Sequence, residues 1–165
     1  MNECKNITVN LYDVPGSGTL THDAKNYYQE KHLCAFDCLF ILVQETFCKE
    51  EIEIAKEALK HNQTIAFIHS KCDIFLTNKK KQKLIKKIDQ KAVDDCLNEL
   101  KLNYITEIRK SKILKLQKIP CFYVNSFNLY DLKNDIISEP NVKYQEKELI
   151  EFMTSEVKYS RNIIT

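Results

Sequence analysis

Gly16 and Gly18 are the only glycines in a chain of 165 residues, and they stand two positions apart. Glycine reaches positive φ and lets a backbone approach a ligand without a side chain in the way, so the unusual backbone of this protein is expected in a single turn. Two common phosphate cradles are excluded at once, since neither G-x-x-x-x-G-K-[ST] nor G-x-G-x-x-G can be written with these two glycines. The turn reads Asp13-Val14-Pro15-Gly16-Ser17-Gly18-Thr19. Pro15 fixes its own φ and pushes Val14 towards an extended shape.

The rest of the composition is ordinary, with 44% hydrophobic and 29% charged residues in 19.4 kDa, which is the signature of one domain folding around a core. The longest purely apolar run is the six residues 38–43, far short of the roughly 20 that cross a bilayer, and no charged-then-apolar leader opens the sequence. Seven cysteines, odd in number and without a C-x-x-C pair, suit reduced thiols and a cytoplasmic location. A net charge of +2 excludes a strongly basic nucleic-acid binder.

Residues 7–13 alternate Ile7, Val9 and Leu11 with polar neighbours and predict a strand that ends at the glycine turn. Residues 23–31 predict a short helix. The apolar run 38–44 predicts a strand buried on both faces of a parallel sheet. Residues 48–62 place Ile52, Ala55, Ala58 and Leu59 at helical spacing, with glutamates early and Lys60 and His61 late, as a helix dipole favours. Further strands are expected at 64–70 and 120–125. Two helices should fill the long interval between them, one carrying Leu84, Ile85, Ile88, Ala92, Cys96 and Leu100, and one resuming at Tyr104 after a break near Asn103. A last helix is expected at 145–153. Apolar strands alternating with helices indicate an α/β fold with a mostly parallel sheet, whose ligands sit beyond the carboxyl ends of the strands. The lysine-rich stretch 79–91, seven lysines against one aspartate, reads as a solvated helix face.

Three constellations fall at the carboxyl ends of these strands. Asp13 can hold Mg²⁺ through a water, and Gly16, three residues on, can bring its N–H against a terminal phosphate. The same string also occurs as a plain turn. Ser70-Lys71-Cys72-Asp73 follows the 64–70 strand. There the Asp73 carboxylate can accept two parallel hydrogen bonds from the N1–H and N2–H₂ edge of guanine, while the Lys71 stem packs on the purine face. Asn125-Ser126 follows the last strand, where backbone N–H groups can reach the carbonyl oxygen of the same base.

Asp-x-x-Gly, then Lys-x-Asp, then a polar loop after the last strand is the motif order of the later part of a P-loop GTPase domain. The longer strings Leu11-Tyr12-Asp13-Val14-Pro15-Gly16-Ser17-Gly18-Thr19, Ala55-Lys56-Glu57, His69-Ser70-Lys71-Cys72-Asp73 and Tyr130-Asp131-Leu132, with Tyr28, Phe36-Asp37, Glu107-Ile108-Arg109 and Phe122, resemble the immunity-related (interferon-inducible) GTPase family over about residues 7–137. The resemblance implies a three-layer G domain that binds GTP or GDP with Mg²⁺ and hydrolyses GTP on dimerising across the nucleotide face, often beside internal membranes. By motif position, it makes Asp13 the indirect Mg²⁺ residue, Gly16 the γ-phosphate contact, Lys71 and Asp73 the guanine readers, and Ser126 the backbone contact to the base.

Ser70 stands where this family usually has Asn or Thr, and no glutamine follows Gly16. The family pattern also opens with a strand and a P-loop some 60 residues ahead of the Asp-x-Pro-Gly string, whereas six residues precede Ile7 here. The expectation is a partial G domain over residues 1–140, lacking the first strands and the P-loop, followed by a helical extension over 141–165. Weak or absent hydrolysis follows. The alternative is a pseudo-GTPase module that dimerises with related G domains. His32, Cys34, Cys38, His69 and Cys72 lack zinc-site spacing and read as structural, and no G-x-S-x-G nucleophile elbow is present.

Overall fold

The computed structural model describes residues 9–15, 24–43 and 47–160. Among these residues three parallel strands form a sheet, in the spatial order β1 (Cys38–Val43), β2 (Thr64–His69), β3 (Cys121–Tyr123). Helices α1 (Ala24–Glu30), α2 (Lys49–Lys60), α3 (Cys72–Lys81), α4 (Gln90–Lys110), α5 (Ser126–Lys133) and α6 (Glu146–Ser160) surround it. The register pairs Phe40 with Ala66 and Ile68 with Phe122, so all three carboxyl ends lie along one side.

β2 is the hinge of the packing because its side chains alternate between two covered faces. Ile65 and Phe67 join Ile41, Val43, Ile54, Ala55 and Ala58 under α2, with Tyr104 and Ile108 of α4 closing the same cluster. Ala66 and Ile68 face the other way, with Phe122, Val124 and Leu149 of α6. Helix, sheet and helix therefore make the three layers expected of an α/β domain. A third cluster ties α3 to α4 through Cys72, Leu76, Val93, Cys96, Leu97 and Leu100, and reaches β3 at Tyr123.

Local chemistry explains the helix starts. At α2, Glu51 reaches back to accept a 2.8 Å hydrogen bond from the Cys48 N–H, forming a capping box with Cys48 at the N-cap. Asp89 caps α4 by accepting from the Ala92 N–H at 3.0 Å, and its carboxyl is held below the usual range by the hydrogen bond from Lys87.

Four expectations are corrected. Residues 9–13 are irregular rather than a strand, with Leu11 and Tyr12 exposed; among the described residues no strand lies beside them to complete a ladder. β1 is a strand, and among the described residues it is an edge strand; its Leu42 is 61% exposed, so β2, not β1, is covered on both faces. The interval after β2 does hold two helices, yet α4 runs unbroken through Asn103 and the break falls between Lys81 and Gln90. Leu97, Leu100, Tyr104 and Ile108 form one buried stripe across Asn103, and that packing outweighs the weak helix preference of a single asparagine.

The fourth concerns unusual backbone. His32, Asn62, Lys83, Lys112 and Asp135 all have positive φ, between 49° and 61°, and each lies just beyond the end of one of the helices α1 to α5. Three of these ends carry the paired hydrogen bonds of the Schellman motif: Asn62 to Leu59 with Gln63 to Ala58, Lys83 to Lys80 with Leu84 to Lys79, and Asp135 to Leu132 with Ile136 to Asp131, each N–H donating to the earlier carbonyl. Glycine is the usual occupant of that position. This chain stops its helices without it.

Candidate functional site

The carboxyl ends of β2 and β3 continue directly into two short loops, Ser70–Lys71 and Val124–Asn125, which lead into α3 and α5. The strand ends beneath them are tied together. The Val124 N–H donates to the His69 carbonyl at 2.9 Å, and the buried His69 ring stacks on Tyr123 with 5.8 Å between centroids. Cys72 is fully buried, donates its thiol to the His69 carbonyl at 3.2 Å, and is pushed above the ordinary thiol range by that burial.

On this floor the two loops are joined. Lys71 and Asn125 form an isolated antiparallel bridge, and the Ser126 hydroxyl donates to the Ser70 carbonyl at 3.1 Å. Asn125 caps α5, its side chain accepting from the Phe127 N–H at 2.9 Å. Lys71 is exposed and makes no ion pair among the described residues. Asp73 lies half-buried in the first turn of α3, where the helix dipole favours a carboxylate, and its charge is felt by the buried Tyr144 phenol, which burial has already raised. The Asp73 carboxylate itself makes no hydrogen bond or ion pair among the described residues.

Lys71, Asp73 and Ser126 are thus brought together at one edge of the sheet. Asp13 is exposed and lies beside α1. There the Tyr27 hydroxyl donates to the Pro15 carbonyl, and the Tyr27 phenol is raised by burial and then by the Asp13 charge. Tyr12 leans on Phe36 with ring centroids 5.6 Å apart. No hydrogen bond or ion pair among the described residues links Asp13 to Lys71, Asp73 or Ser126. Gly16 lies outside the described residues. Nor do the cysteines and histidines gather into a metal centre, since no group of three or more potential ligands occurs among the described residues.

A family model described as "Interferon-inducible GTPase (IIGP)" matches residues 2–158. The chain belongs to the interferon-inducible GTPase family. It is also 24% identical over 147 residues to the mouse (Mus musculus) protein Interferon-inducible GTPase 1, a match covering 80% of this chain and 35% of the mouse protein. The chain thus spans about a third of the length of that curated relative. Membership agrees with the motif order of the sequence, and the three-stranded parallel sheet among the described residues agrees with part of a G domain. No helix among the described residues is long and apolar enough to cross a membrane.

Motif reading did not find the support behind the Asn125–Ser126 loop. Gln145 lies alongside β3, donating its N–H to the Tyr123 carbonyl at 2.9 Å and accepting the Tyr123 N–H on its side chain at 3.2 Å. Beside it the buried carboxylate of Glu146 accepts the Asn125 N–H at 3.0 Å. The one signal available was a glutamine–glutamate pair opening the last helix, which looks like an ordinary helix start until the fold brings it against β3.

Proposed function

We propose that this member of the interferon-inducible GTPase family binds a guanine nucleotide at the joined ends of β2 and β3. The observation that carries the reading is the Asp73 carboxylate, without a partner among the described residues, set beside two loops that Ser126 and Ser70 hold together. Asp73 accepts from the N1–H and N2–H₂ groups of the base, which adenine does not offer, and the exposed stem of Lys71 covers the purine face. The Ser126 N–H donates to the base carbonyl. These residues fit the base. For the phosphates, Asp13 and Gly16 are the family positions: Asp13 would hold Mg²⁺ through water, and the ion when bound supplies charge neutralisation at the phosphate oxygens.

Hydrolysis by this polypeptide should be weak or absent, because its sequence holds no G-x-x-x-x-G-K-[ST] string to surround the triphosphate with backbone amides and a lysine. Dimerisation with a related G domain across the nucleotide face, and association with internal membranes, are the family-level roles this reading carries with it. The test is titration of labelled GTP, GDP and ATP into the purified chain. Guanine-selective binding that falls at least about a hundredfold in Asp73→Ala supports the proposal, since buried hydrogen-bond partners left unmatched discriminate by that order or more. Absence of nucleotide binding together with retained association to a related G domain favours a purely dimerising module. Sustained GTP turnover by the chain alone would refute the expectation of weak hydrolysis.

A further inference from the structure

Glu146 is only 2% exposed, yet it is an acidic residue at the first position of α6. A carboxylate withdrawn from water is strongly penalised unless donors surround it. Here they do: Oε1 accepts from the Asn125 N–H at 3.0 Å and the Asn128 side-chain amide at 3.3 Å, and Oε2 accepts from the Tyr144 N–H at 3.1 Å. A helix start needs none of this burial, since an exposed capping side chain would serve. Two of the three donors instead come from the segment that follows β3. Asn125 in turn bridges to Lys71, and its neighbour Ser126 bonds to Ser70. One buried acid therefore stands behind the loop after β3, which is itself joined to the Ser70–Lys71 loop.

We propose that Glu146 is a positioning residue for guanine recognition, holding the Asn125–Ser126 main chain so that the Ser126 N–H meets the base carbonyl. This inference rests on the base-site reading above. It separates Glu146 from Asp73 by what each senses. Asp73 reads the 2-amino group, whereas Glu146 acts only through the loop that meets the carbonyl oxygen, an atom shared by guanine and hypoxanthine.

The experiment titrates GDP and inosine diphosphate, which lacks the 2-amino group, into the full chain and into Glu146→Gln, with amide hydrogen exchange followed at Asn125. The glutamine keeps the shape but turns an N–H₂ towards one of the donors. Both affinities should fall about tenfold with their ratio unchanged, and Asn125 exchange should quicken, as expected for one lost charge-assisted hydrogen bond. Unchanged GDP affinity overturns the inference and leaves the base-site reading intact. A ratio that collapses as in Asp73→Ala also overturns it, because the effect would then not be confined to the loop. If the variant does not fold, the wild-type chain decides. GDP should slow exchange at Asn125 and Tyr144 together, and protection of Asn125 without Tyr144 overturns the coupling through Glu146. A wild-type chain that binds no GDP defeats the base-site reading, and this inference with it.

Discussion

The hydroxyl of Ser126 donates to the main-chain carbonyl of Ser70 across 3.1 Å, joining residues 56 positions apart in sequence. Parallel strands make this possible. Because β2 and β3 run in the same direction and lie side by side, the loops that leave them emerge at one edge and their polar ends meet.

Removing that bond should be a small structural loss with a local reading. Ser126→Ala is expected to cost about 0.5–1 kcal/mol, as for a single hydrogen bond at a partly exposed site, and to lower the melting temperature by only a few degrees. Asn125→Ala removes the α5 cap and should cost about 1 kcal/mol. Thermal melts of the two variants check this, and a larger loss for Ser126→Ala than for Asn125→Ala would contradict it.

Gln63 should matter more than its place in a short connection suggests. Its amide oxygen accepts from the Tyr28 hydroxyl at 2.7 Å, and its nitrogen donates to the Leu33 and Phe36 carbonyls, both at 2.7 Å. Gln63→Ala leaves three partners unmatched in a partly buried setting, so a loss of about 2–3 kcal/mol is expected in urea unfolding. A loss under about 1 kcal/mol would show that water replaces the amide at little cost.

The non-glycine helix ends offer stabilising changes. Lys83 and Lys112 hold φ of 61° and 58°, a region where a side chain is disfavoured by about 1 kcal/mol relative to glycine. Each is exposed or half-exposed and beyond its helix. Lys83→Gly and Lys112→Gly should each raise stability by up to about 1 kcal/mol, and the pair should be roughly additive because the sites end different helices. Destabilisation by either substitution would contradict the assignment of strain.

Stability should fall in alkaline solution. Burial, first among the causes, pushes the Cys38 and Cys121 thiols from an ordinary 9.0 up to about 12, and Cys96 to about 11. Below pH 9 these thiols are neutral both folded and unfolded, and their contribution is fully present. Between pH 9 and about 12 the unfolded chain loses protons that the folded chain keeps, so the unfolded state binds fewer protons and stability declines with pH. Melting temperatures measured at pH 8, 9, 10 and 10.5 should decrease progressively above 9. Replacing Cys96 with Ala should flatten part of that slope, and a slope unchanged or steeper in that variant would count against it.

Much of this protein is legible in its residues taken one after another. Apolar runs of strand length marked β1, β2 and β3. Glutamates early and lysine late marked α2, and Lys71-Cys72-Asp73 stood where a strand had to end. These signals are local, because hydrogen-bond period, helix dipole and turn chemistry act over a few neighbouring residues. What they could not supply was which strand would be central. The run at β1 is as apolar as β2, but only the neighbours in space decide that β2 is covered on both faces while Leu42 meets solvent. Asn103 failed as a helix break for the same reason, since a buried stripe on either side of it was already packed.

The candidate site divides along that line. Residue order alone determined the motif sequence and so the family, because a carboxylate two positions after a lysine is a chemical pattern that needs no fold to be seen. Only the tertiary structure decided that Lys71, Asp73 and Ser126 share one edge, that Tyr27 of α1 bonds the Pro15 carbonyl two residues beyond Asp13, and that Glu146 lies buried behind the Asn125–Ser126 loop. Glu146 is 21 residues from Asn125 along the chain. A hydrogen bond over that separation is set by how α6 docks on the sheet, and burial of a charge becomes visible only when the elements that bury it are in place.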